Sequence, residues 1–322
     1  MERKPKRVLL MYISQVSGHR QSAAAIQRSL KALDPDCEVM SINGFSYIYP
    51  IMEKIINTAY MGVIKRVPGI WEYLYDNPKI IKASENLKQK IHKSSHKKLK
   101  ALIDEFKPDV VICTQAFPCG MVADYKVTYD LGFKVIGVLT DFAPHLYWLH
   151  EGVDSYIVPS EEAKERYVKE GVPSKKIKVF GIPIRMKFAE KLDKAALGRR
   201  LGLDAHVPTV LVMGGGQGLG PMKDAVKSIL YLKRPLQIIV IAGTNTKLAR
   251  WLKKTQRKTS KTIIFYDYAD NVDELMEVST LIVSKPGGVT TSECLVKGLP
   301  MVIVDPIPGQ EERNSQFLVA NG

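Results

Sequence analysis

The chain has 322 residues, of which 45% are hydrophobic and 25% charged, a composition that excludes a disordered or fibrous protein and suffices for two domains with separate cores. The formal net charge of +14 favours an acidic partner: nucleic acid, anionic lipid or a phosphorylated small molecule. No uncharged stretch reaches the roughly 18 apolar residues that a spanning helix needs, and the four cysteines lack metal-ligand spacing. We therefore expect a cytoplasmic protein with reduced thiols that does not cross a membrane.

Short β-branched runs alternate with helical stretches along most of the chain, which is the pattern of parallel strands joined by crossover helices. The strands predicted in the first half are Arg7–Ser14, Cys37–Ile42, Asp109–Thr114, Lys134–Leu139 and Ser155–Val158. Those predicted in the second half are Thr209–Met213, Leu236–Ala242, Thr262–Phe265, Thr280–Val283 and Met301–Val304. The sequence thus predicts an α/β protein with two similar open sheets, and ligands in a cleft at the carboxyl ends of the strands.

The boundary between the halves is expected in the stretch from Gly181 to Met186, where glycine and proline interrupt both periodicities. The predicted domains are residues 1–182 and 183–322. A helix is predicted to begin near Glu311, shortly before the sequence ends. The second sheet is then expected to lack its last elements, so the sequence predicts an incomplete C-terminal domain.

One segment, residues 45–107, breaks the alternation and is predicted to be mainly helical. Its aromatic residues include Tyr47, Tyr49, Tyr60, Trp71, Tyr73 and Tyr75. From Lys82 to Lys100 there are seven lysines and one acidic residue. Two interpretations stay open: an interfacial segment that enters lipid headgroups, or a helical subdomain with its own small core and a solvated lysine face.

Two further features of the basic stretches have simpler interpretations. His92 and His96 stand four residues apart on the lysine-rich helix, and we interpret them as surface residues rather than metal ligands. A second basic run, residues 247–261, has seven basic residues and no acid. It is interpreted as a solvated helix face followed by a loop.

The first predicted strand ends in a turn of small residues that reads Ser-Gln-Val-Ser-Gly-His from Ser14 to His19, and a helix is predicted from about Gln21 to Ala32. Small residues in a strand-to-helix turn let backbone N–H groups approach a ligand, and a helix N-terminus favours an anion. His19 is suited to act as a general base with a pKa near neutrality. The alternative is a histidine that caps the helix.

The second half opens with a glycine-rich turn directly after an apolar strand, with Pro221 at the first turn of the next helix. We expect the turn to hold phosphate at a helix N-terminus, through Gly214, Gly215, Gly216, Gln217 and Gly218. It is not a P-loop, because no Gly-Lys-Ser/Thr follows. Ala242-Gly243 stands where a dinucleotide-binding fold carries an acidic residue, which counts against NAD.

Two later loops combine glycine with polar residues. The first supplies backbone donors and polar side chains from Ser284, Lys285, Gly287, Gly288 and Thr290. Glu293, one turn into the following helix, is suited to accept both hydroxyls of a ribose. The second loop leads to a helix whose polar face is suited to sugar hydroxyls, with Gln310, Glu311 and Asn314.

Together these motifs resemble the monogalactosyldiacylglycerol synthase and processive diacylglycerol glucosyltransferase family, which belongs to the GT-B superfamily and is glycosyltransferase family 28-like. The glycine turn, the Ser-Lys-Pro-Gly-Gly stretch with its glutamate and the Pro-Gly-Gln-Glu stretch with its asparagine carry the resemblance. The Ser-Gly-His turn and Thr140-Asp141-Phe142 with His145, Trp148 and His150 also match. The resemblance runs from about residue 8 to the end.

The resemblance implies a GT-B fold and an enzyme that moves glucose or galactose, with inversion, from a UDP-hexose to the hydroxyl of diacylglycerol. Its expected location is the cytoplasmic face of the cell membrane, as a peripheral protein on an anionic surface. By motif, the glycines of both loops contact the diphosphate, Glu293 the ribose, and Gln310 with Glu311 the donor sugar. The acceptor side is expected to include Gly18, His19, His145 and Trp148. Whether His19 or Asp141 removes the acceptor proton stays open.

No metal or other cofactor is expected, because two helix N-termini with glycine loops can stabilise departing UDP. Three other functions fit parts of the sequence. A UDP-N-acetylglucosamine transferase acting on a lipid-linked peptidoglycan precursor has the same two-lobed fold, but the Pro-Gly-Gln-Glu stretch favours the diacylglycerol branch. A basic nucleic-acid-binding protein fits the charge but lacks a recognisable reading helix or RNA-binding signature. A non-catalytic paralogue that still binds UDP-sugar is disfavoured because the candidate site residues are retained.

Overall fold

The computed structural model describes residues 6–50, 78–142, 144–218 and 220–321. The chain divides into two compact units. The first consists of Met1–Arg185 together with Ile307–Gly322, and the second of Met186–Pro306. Each unit contains one parallel sheet.

The first unit is built on a six-stranded parallel sheet. Its strands are β1 Arg7–Tyr12, β2 Glu38–Asn43, β3 Val110–Cys113, β4 Lys134–Val138, β5 Ser155–Val158 and β6 Ile177–Val179, in the order β2-β1-β3-β4-β5-β6. Its helices include α1 Gly18–Leu33, α2 Gly44–Ile48, α3 Pro78–Phe106, α4 Ala116–Thr128 and α5 Glu161–Lys169. Strand β1 is buried along almost its whole length, because helices cover both faces of a parallel sheet.

The second unit is built on a five-stranded parallel sheet. Its strands are β7 Thr209–Met213, β8 Gln237–Ile241, β9 Ile263–Tyr266, β10 Leu281–Ser284 and β11 Met301–Ile303, in the order β11-β10-β7-β8-β9. Its helices are α6 Lys194–Arg200, α7 Met222–Tyr231, α8 Thr246–Gln256, α9 Val272–Val278 and α10 Gly288–Lys297. Every residue of β7 and β8 is buried, which explains why both strands are apolar after their first residue.

The last helix, α11 Gln310–Asn321, belongs to the first unit. Its Asn314 side chain donates to Asp141 Oδ1 over 3.0 Å and accepts from the backbone N–H of Phe142 over 2.8 Å. The ring of Phe317 stacks on that of Phe142 with centroids 4.3 Å apart. The predicted second domain, 183–322, therefore differs from the second unit at its end, because these long-range contacts leave no trace in the local sequence pattern.

The predicted α/β architecture is confirmed, and all ten predicted strands are present. The elements differ mainly at their ends, where one or two residues lie outside the hydrogen-bonded ladder. The sheet of the first unit also contains β6, whose three residues are too few for a clear alternating pattern. The chain passes from the first unit to the second between Arg185 and Met186, at the end of the stretch predicted as the boundary.

Helix α3 packs one face on the core of the first unit. Its inward residues include Leu99, Leu102 and Ile103, which are buried, whereas Lys93 and Lys97 are exposed. Where its side chains are described, from residue 92 to 100, the lysine-rich sequence thus lies on an amphipathic helix with a solvated basic face. Tyr60, Trp71, Tyr73 and Tyr75 lie outside the described residues. Among the described helices, none has a stretch that is long and apolar enough to cross a bilayer.

The interpretation of His92 as a surface residue is wrong, because its side chain is only 2% exposed and pairs with Asp124 on α4. His150 approaches the other oxygen of the same carboxylate, with Nδ1 3.5 Å from Oδ1. His96 is half-buried, and its ring packs against those of Tyr125 and Tyr129. Helical periodicity places residues 92, 95 and 99 on the buried face, a pattern that the surrounding lysines hide.

Candidate functional site

The turn after β1 starts α1 with a serine cap. Ser17 is the N-cap residue, and its side-chain oxygen accepts from the backbone N–H of Arg20 over 3.3 Å. Its hydroxyl also lies 2.7 Å from the carbonyl oxygen of Ile13. Gly18 is the first helical residue and His19 the second. The proposed capping role of His19 is therefore filled by Ser17, which leaves the imidazole for other contacts.

His19 lies where the carboxyl ends of three neighbouring strands meet. Its Nδ1 is 2.9 Å from the carbonyl oxygen of Thr114, which follows β3, and 2.9 Å from Oγ1 of Thr140, which follows β4. The Thr114 hydroxyl donates in return to the His19 carbonyl oxygen over 2.9 Å. These contacts hold both the backbone and the ring of His19 at the sheet edge where open α/β sheets bind ligands.

The partners of the ring define its tautomer. A carbonyl oxygen can only accept, so the short contact with Thr114 requires the proton on Nδ1. Nε2 then carries the lone pair. Burial lowers the pKa of His19 to about 4, although the bond to the Thr114 carbonyl acts in the opposite direction. The imidazole is therefore neutral at pH 7, with Nε2 able to accept a proton, but its pKa is not near neutrality as the sequence predicted.

Asp141, the other candidate base, follows Thr140 and is half-buried. Its Oδ1 accepts the hydrogen bond from Asn314 on α11. Asn314 is completely buried and uses its amide oxygen for the Phe142 N–H. The structure thus brings Asp141 and Asn314 together, and places Asn314 beside the loop after β4 rather than on an open helix face.

The other two predicted helix residues start α11. Glu311 is buried, and its Oε2 accepts from the backbone N–H of Ile307 over 2.7 Å. Gln310, the first residue of the helix, is half-buried. The carboxylate of Glu311 therefore stabilises the loop that leads into the helix. Their contact with a donor sugar stays a prediction.

The predicted acceptor residues His145 and Trp148 lie in one short segment. His145 precedes the 3₁₀ turn Leu146–Trp148, and its carbonyl oxygen accepts from the Tyr167 hydroxyl over 3.3 Å. Trp148 is 4% exposed and belongs to the hydrophobic core of the first unit. The indole therefore anchors the segment to the core of the first unit. Its contact with the acceptor stays a prediction.

In the second unit, the glycine turn after β7 interlocks with the turn after β8. Gly218 and Gly243 have φ angles of +59° and +61°, in the left-handed region that favours glycine. A Cβ on Gly218 would lie 2.0 Å from the Ala242 carbonyl oxygen, and one on Gly243 would lie 2.5 Å from that of Gly216. These glycines are required by loop packing. Asn245 Nδ2 reinforces it by donating to the Gly218 carbonyl oxygen over 3.1 Å.

Gly215, in the same turn, has no such constraint. Gly215 also has a positive φ, +65°, but an added Cβ there would meet nothing within 4 Å. Gly214 is buried at the end of β7, Gly216 is exposed and Gln217 is half-buried. Open space beside Gly215 is what close approach of a ligand to the backbone requires. The sequence motif therefore combines glycines for packing with at least one that leaves room above the loop.

The loop after β10 leads into α10 without a side-chain cap. Its N-cap residue is Gly287, and the N-cap of α7 is Pro221, so neither helix has a side-chain oxygen over its first N–H groups. Uncapped N-termini of this kind favour a diphosphate. Ser284 is buried at the end of β10, and Lys285 Nζ lies 3.6 Å from Asp305.

The first two turns of α10 carry the remaining donor-side candidates. Gly288 is buried and Thr290 half-buried. Glu293 is 8% exposed. Burial, with a smaller effect from the neighbouring Glu293 charge, raises the pKa of Cys294 to about 12, so that thiol stays protonated. Strands β7 and β10 are adjacent and parallel, so the glycine turn after β7 and the start of α10 lie at the same edge of the sheet.

Sequence reasoning missed Thr114 and Asn245. Thr114 orients His19 through two hydrogen bonds, and Asn245 fixes the glycine turn. Both residues lie just beyond the carboxyl end of a strand, which is the signal by which the sequence could have revealed them. Within the described residues there is no group of three or more His, Cys, Asp or Glu side chains that could hold a metal ion.

Comparison with known proteins identifies both halves of the chain. A family model described as monogalactosyldiacylglycerol (MGDG) synthase matches residues 19–184. A second, described as glycosyltransferase family 28 C-terminal domain, matches residues 209–322. The two matches follow the same order as the two sheets.

Curated relatives match along the whole chain. The processive diacylglycerol beta-glucosyltransferase of Bacillus mycoides (strain KBAB4) is 31% identical, with 100% of this chain and 82% of the relative covered. The protein of the same name from Bacillus subtilis (strain 168) is 28% identical over 98% of this chain and 82% of the relative.

Solved structures share the fold. MurG of Acinetobacter baumannii superposes with a TM-score of 0.60 at 17% identity, covering 99% of this chain and 84% of that one. Anabaena Alr3699/HepE in complex with UDP-glucose gives a TM-score of 0.53 at 11% identity, covering 98% and 89%. These superpositions confirm the predicted GT-B fold. At such low sequence identity they say nothing about substrates.

Proposed function

We propose that this chain, which belongs to the monogalactosyldiacylglycerol synthase family of glycolipid-forming glycosyltransferases, transfers glucose from UDP-glucose to the free hydroxyl of diacylglycerol with inversion at the anomeric carbon. Family membership makes it a UDP-sugar-dependent hexosyltransferase. Glucose rather than galactose is supported by the names of its relatives, which are beta-glucosyltransferases. The proposed location is the cytoplasmic face of the cell membrane, where diacylglycerol is accessible.

The observation that carries the mechanism is the neutral, oriented imidazole of His19. Its Nδ1–H is fixed by the Thr114 carbonyl, so Nε2 is the atom that receives the proton of the acceptor hydroxyl. The hydroxyl oxygen attacks C1 of glucose while the bond from C1 to the UDP oxygen breaks, and UDP leaves with the electron pair. Attack from the face opposite UDP inverts the anomeric centre.

His19 is a weaker base than a free histidine, because its pKa is about 4. The catalytic contribution of His19 then depends mainly on the position of its ring and on the full population of its neutral form, and less on its basicity. Asp141 has one oxygen engaged by Asn314, which supports His19 as the base and a positioning role for Asp141.

Departing UDP is proposed to be stabilised by the uncapped N-termini of α7 and α10. The partial positive charge of a helix N-terminus and the backbone N–H groups of the glycine turns are suited to a diphosphate. Glu293 is proposed to accept the ribose hydroxyls, and Gln310 with Glu311 to recognise the sugar. Under this proposal no metal is needed, and chelation with EDTA should leave turnover unchanged.

The likeness to MurG does not favour transfer of N-acetylglucosamine to a lipid-linked peptidoglycan precursor, because at 17% identity it extends to the fold alone. Relatives named as diacylglycerol glucosyltransferases support the lipid acceptor instead. Nucleic acid is not proposed as a partner.

The test compares UDP release from UDP-glucose and UDP-galactose, with and without diacylglycerol in mixed micelles, with the product identified by mass and its anomeric configuration by NMR. His19→Gln should lower kcat by about 100-fold or more with little change in the KM for the donor. His206→Gln is a matched control, because His206 is exposed in a loop of the second unit. Full turnover by the His19 variant would exclude His19 as the base, and an α-linked product would exclude inversion.

A further inference from the structure

One part of the second unit is strongly basic. Residues 221–262 contain eleven lysines and arginines and a single acid, Asp224. This stretch alone carries a net charge of +10 out of the +14 of the whole chain. It comprises α7, β8, α8 and their loops, whereas the lysine-rich helix α3 lies in the first unit.

Helices α7 and α8 lie side by side on one face of the sheet. Val226 and Ile229 of α7 share a core cluster with Leu248 and Leu252 of α8. The opposite sides of both helices are therefore turned to solvent. We name this side the α7–α8 surface. It comprises the exposed residues Lys227, Tyr231, Lys254 and Lys258, the exposed Leu232 in the loop after α7, and Trp251, which is half-buried against the core.

The α7–α8 surface combines the positive charges with exposed apolar groups. Tyr231 is 86% exposed and Leu232 is 52% exposed. Beside them, a groove of about 290 Å³ runs between the helices and is lined by Tyr231, Trp251, Lys227 and Lys258 among others. Aromatic and aliphatic groups surrounded by lysines are typical of protein surfaces that enter the headgroup layer of a membrane.

The exposed apolar tip is held in place. Lys261 Nζ donates to the carbonyl oxygens of Leu232 and Arg234 over 2.6 and 2.8 Å, which fixes the loop after α7. Lys223 Nζ lies over the ring of Trp251, 5.5 Å from its centroid. Leu232 is thus presented to solvent on an anchored loop.

The α7–α8 surface is separate from the glycine turn. Helix α7 starts just after that turn and ends at Tyr231, and its ten residues span about 15 Å. Tyr231 and Leu232 therefore lie toward the amino ends of the strands, away from the edge proposed to bind UDP-glucose. A role in donor binding does not account for their exposure.

We propose that the α7–α8 surface docks the second unit onto an anionic bilayer, with the lysines facing lipid phosphates and Tyr231 and Leu232 entering the headgroup region. The inference rests on the proposed function, since a diacylglycerol acceptor lies within a membrane. Charge complementarity identifies the partner, and the exposed leucine favours a bilayer over a nucleic acid, which offers no apolar layer to receive it.

The test measures co-sedimentation of the full chain with phosphatidylglycerol–phosphatidylcholine vesicles. Lys254→Gln/Lys258→Gln should weaken binding about 30-fold at low salt, from about a fivefold contribution of each lysine. Tyr231→Ser/Leu232→Ser should weaken it about tenfold, with the deficit retained at high salt. The matched control is Lys169→Gln/Lys175→Gln, which removes the same charge from exposed positions of the first unit.

Turnover of a short-chain, water-soluble diacylglycerol separates this inference from the proposed function. Surface variants should keep wild-type turnover of that acceptor while losing vesicle binding. Equal losses in the surface and control variants would overturn the inference, as would unchanged vesicle binding by both surface variants or tighter binding to DNA than to vesicles. If the wild-type chain turns over no diacylglycerol but still binds vesicles through this surface, the proposed function fails and the docking surface stands.

Discussion

Gly218→Ala tests the interlocked glycine turns of the second unit. Alanine at φ +59° costs about 1 kcal/mol, because its Cβ crowds the backbone in the left-handed region. The same Cβ would lie 2.0 Å from the Ala242 carbonyl oxygen and 2.9 Å from the Asn245 Cβ. Overpacking of this kind costs a further 1 to 3 kcal/mol, roughly. We therefore expect the free energy of unfolding of the second unit to fall by about 3 kcal/mol.

The clash cannot be relieved by rotating a flexible side chain, because its nearest atom belongs to the backbone of the neighbouring loop. Moving that loop strains two hydrogen bonds, from Asn245 Nδ2 to the Gly218 carbonyl and from Thr244 N to the Gly216 carbonyl, both 3.1 Å long. The damage should therefore spread from the turn after β7 to the turn after β8.

Gly215→Ala is the matched control, since its φ is +65° but no atom lies within 4 Å of an added Cβ. We expect it to cost about 1 kcal/mol from the backbone alone. If the open side of Gly215 faces the donor, this variant should weaken UDP binding more than it weakens folding.

The assay is urea denaturation monitored by hydrogen exchange of the β7 and β8 amides, which report on the second unit. A probe of that unit is needed because a chain with two compact units is not expected to unfold in a single transition. UDP affinity is measured by calorimetry in parallel. Equal destabilisation by Gly218→Ala and Gly215→Ala would refute the reasoning, since it would mean that the two loops do not interlock.

Three further outcomes are expected. In rate assays, the acid limb of kcat/KM should lie near pH 4, the pKa of His19, and a limb near its ordinary 6.5 would contradict this value. Folding stability should also fall as the pH is lowered from 6.5 towards 4, because in that range the unfolded chain binds more protons than the folded one. Asp124→Asn should lower the free energy of unfolding by about 2 kcal/mol, measured by exchange of the α3 amides, because it removes the charged partner of His92 and His150. Burial raises the pKa of Asp124, but its bonds to His150 and His92 lower it more, so this stabilisation is present above pH 3.8, the ordinary pKa, and is lost at lower pH. An equal pH dependence of stability in the Asn variant would argue against this pairing. Asn314→Ala removes two hydrogen bonds from α11 and should raise its proteolysis rate about tenfold or more, whereas unchanged proteolysis would show that α11 is held by other contacts.

The central strands could be read from the sequence because a parallel strand buried on both faces has an apolar pattern of its own. Strands β7 and β8 are clear examples, since every residue in them is buried. The glycine turns were equally visible, because a strand that ends in glycine before a helix is a local pattern. Family membership followed from the order of these local motifs, and the comparisons confirmed it.

What each glycine does was decided only by tertiary structure. Gly218 and Gly215 are three residues apart in one turn, yet one packs against a neighbouring loop and the other borders open space. The distinction depends on Ala242 and Asn245, which lie on another strand-to-helix turn. Sequence spacing does not record such distances.

The state of His19 and the place of α11 also needed the fold. His19 is neutral and oriented because Thr114 and Thr140, about a hundred residues away in the chain, follow the neighbouring strands. Asn314 was recognised as a polar site residue, but its hydrogen bonds to residues 141 and 142 place its helix in the first unit. Periodicity and glycine content are properties of adjacent residues and survive in the sequence, whereas burial, pKa and hydrogen-bond partners arise from contacts between segments that meet only in the folded chain.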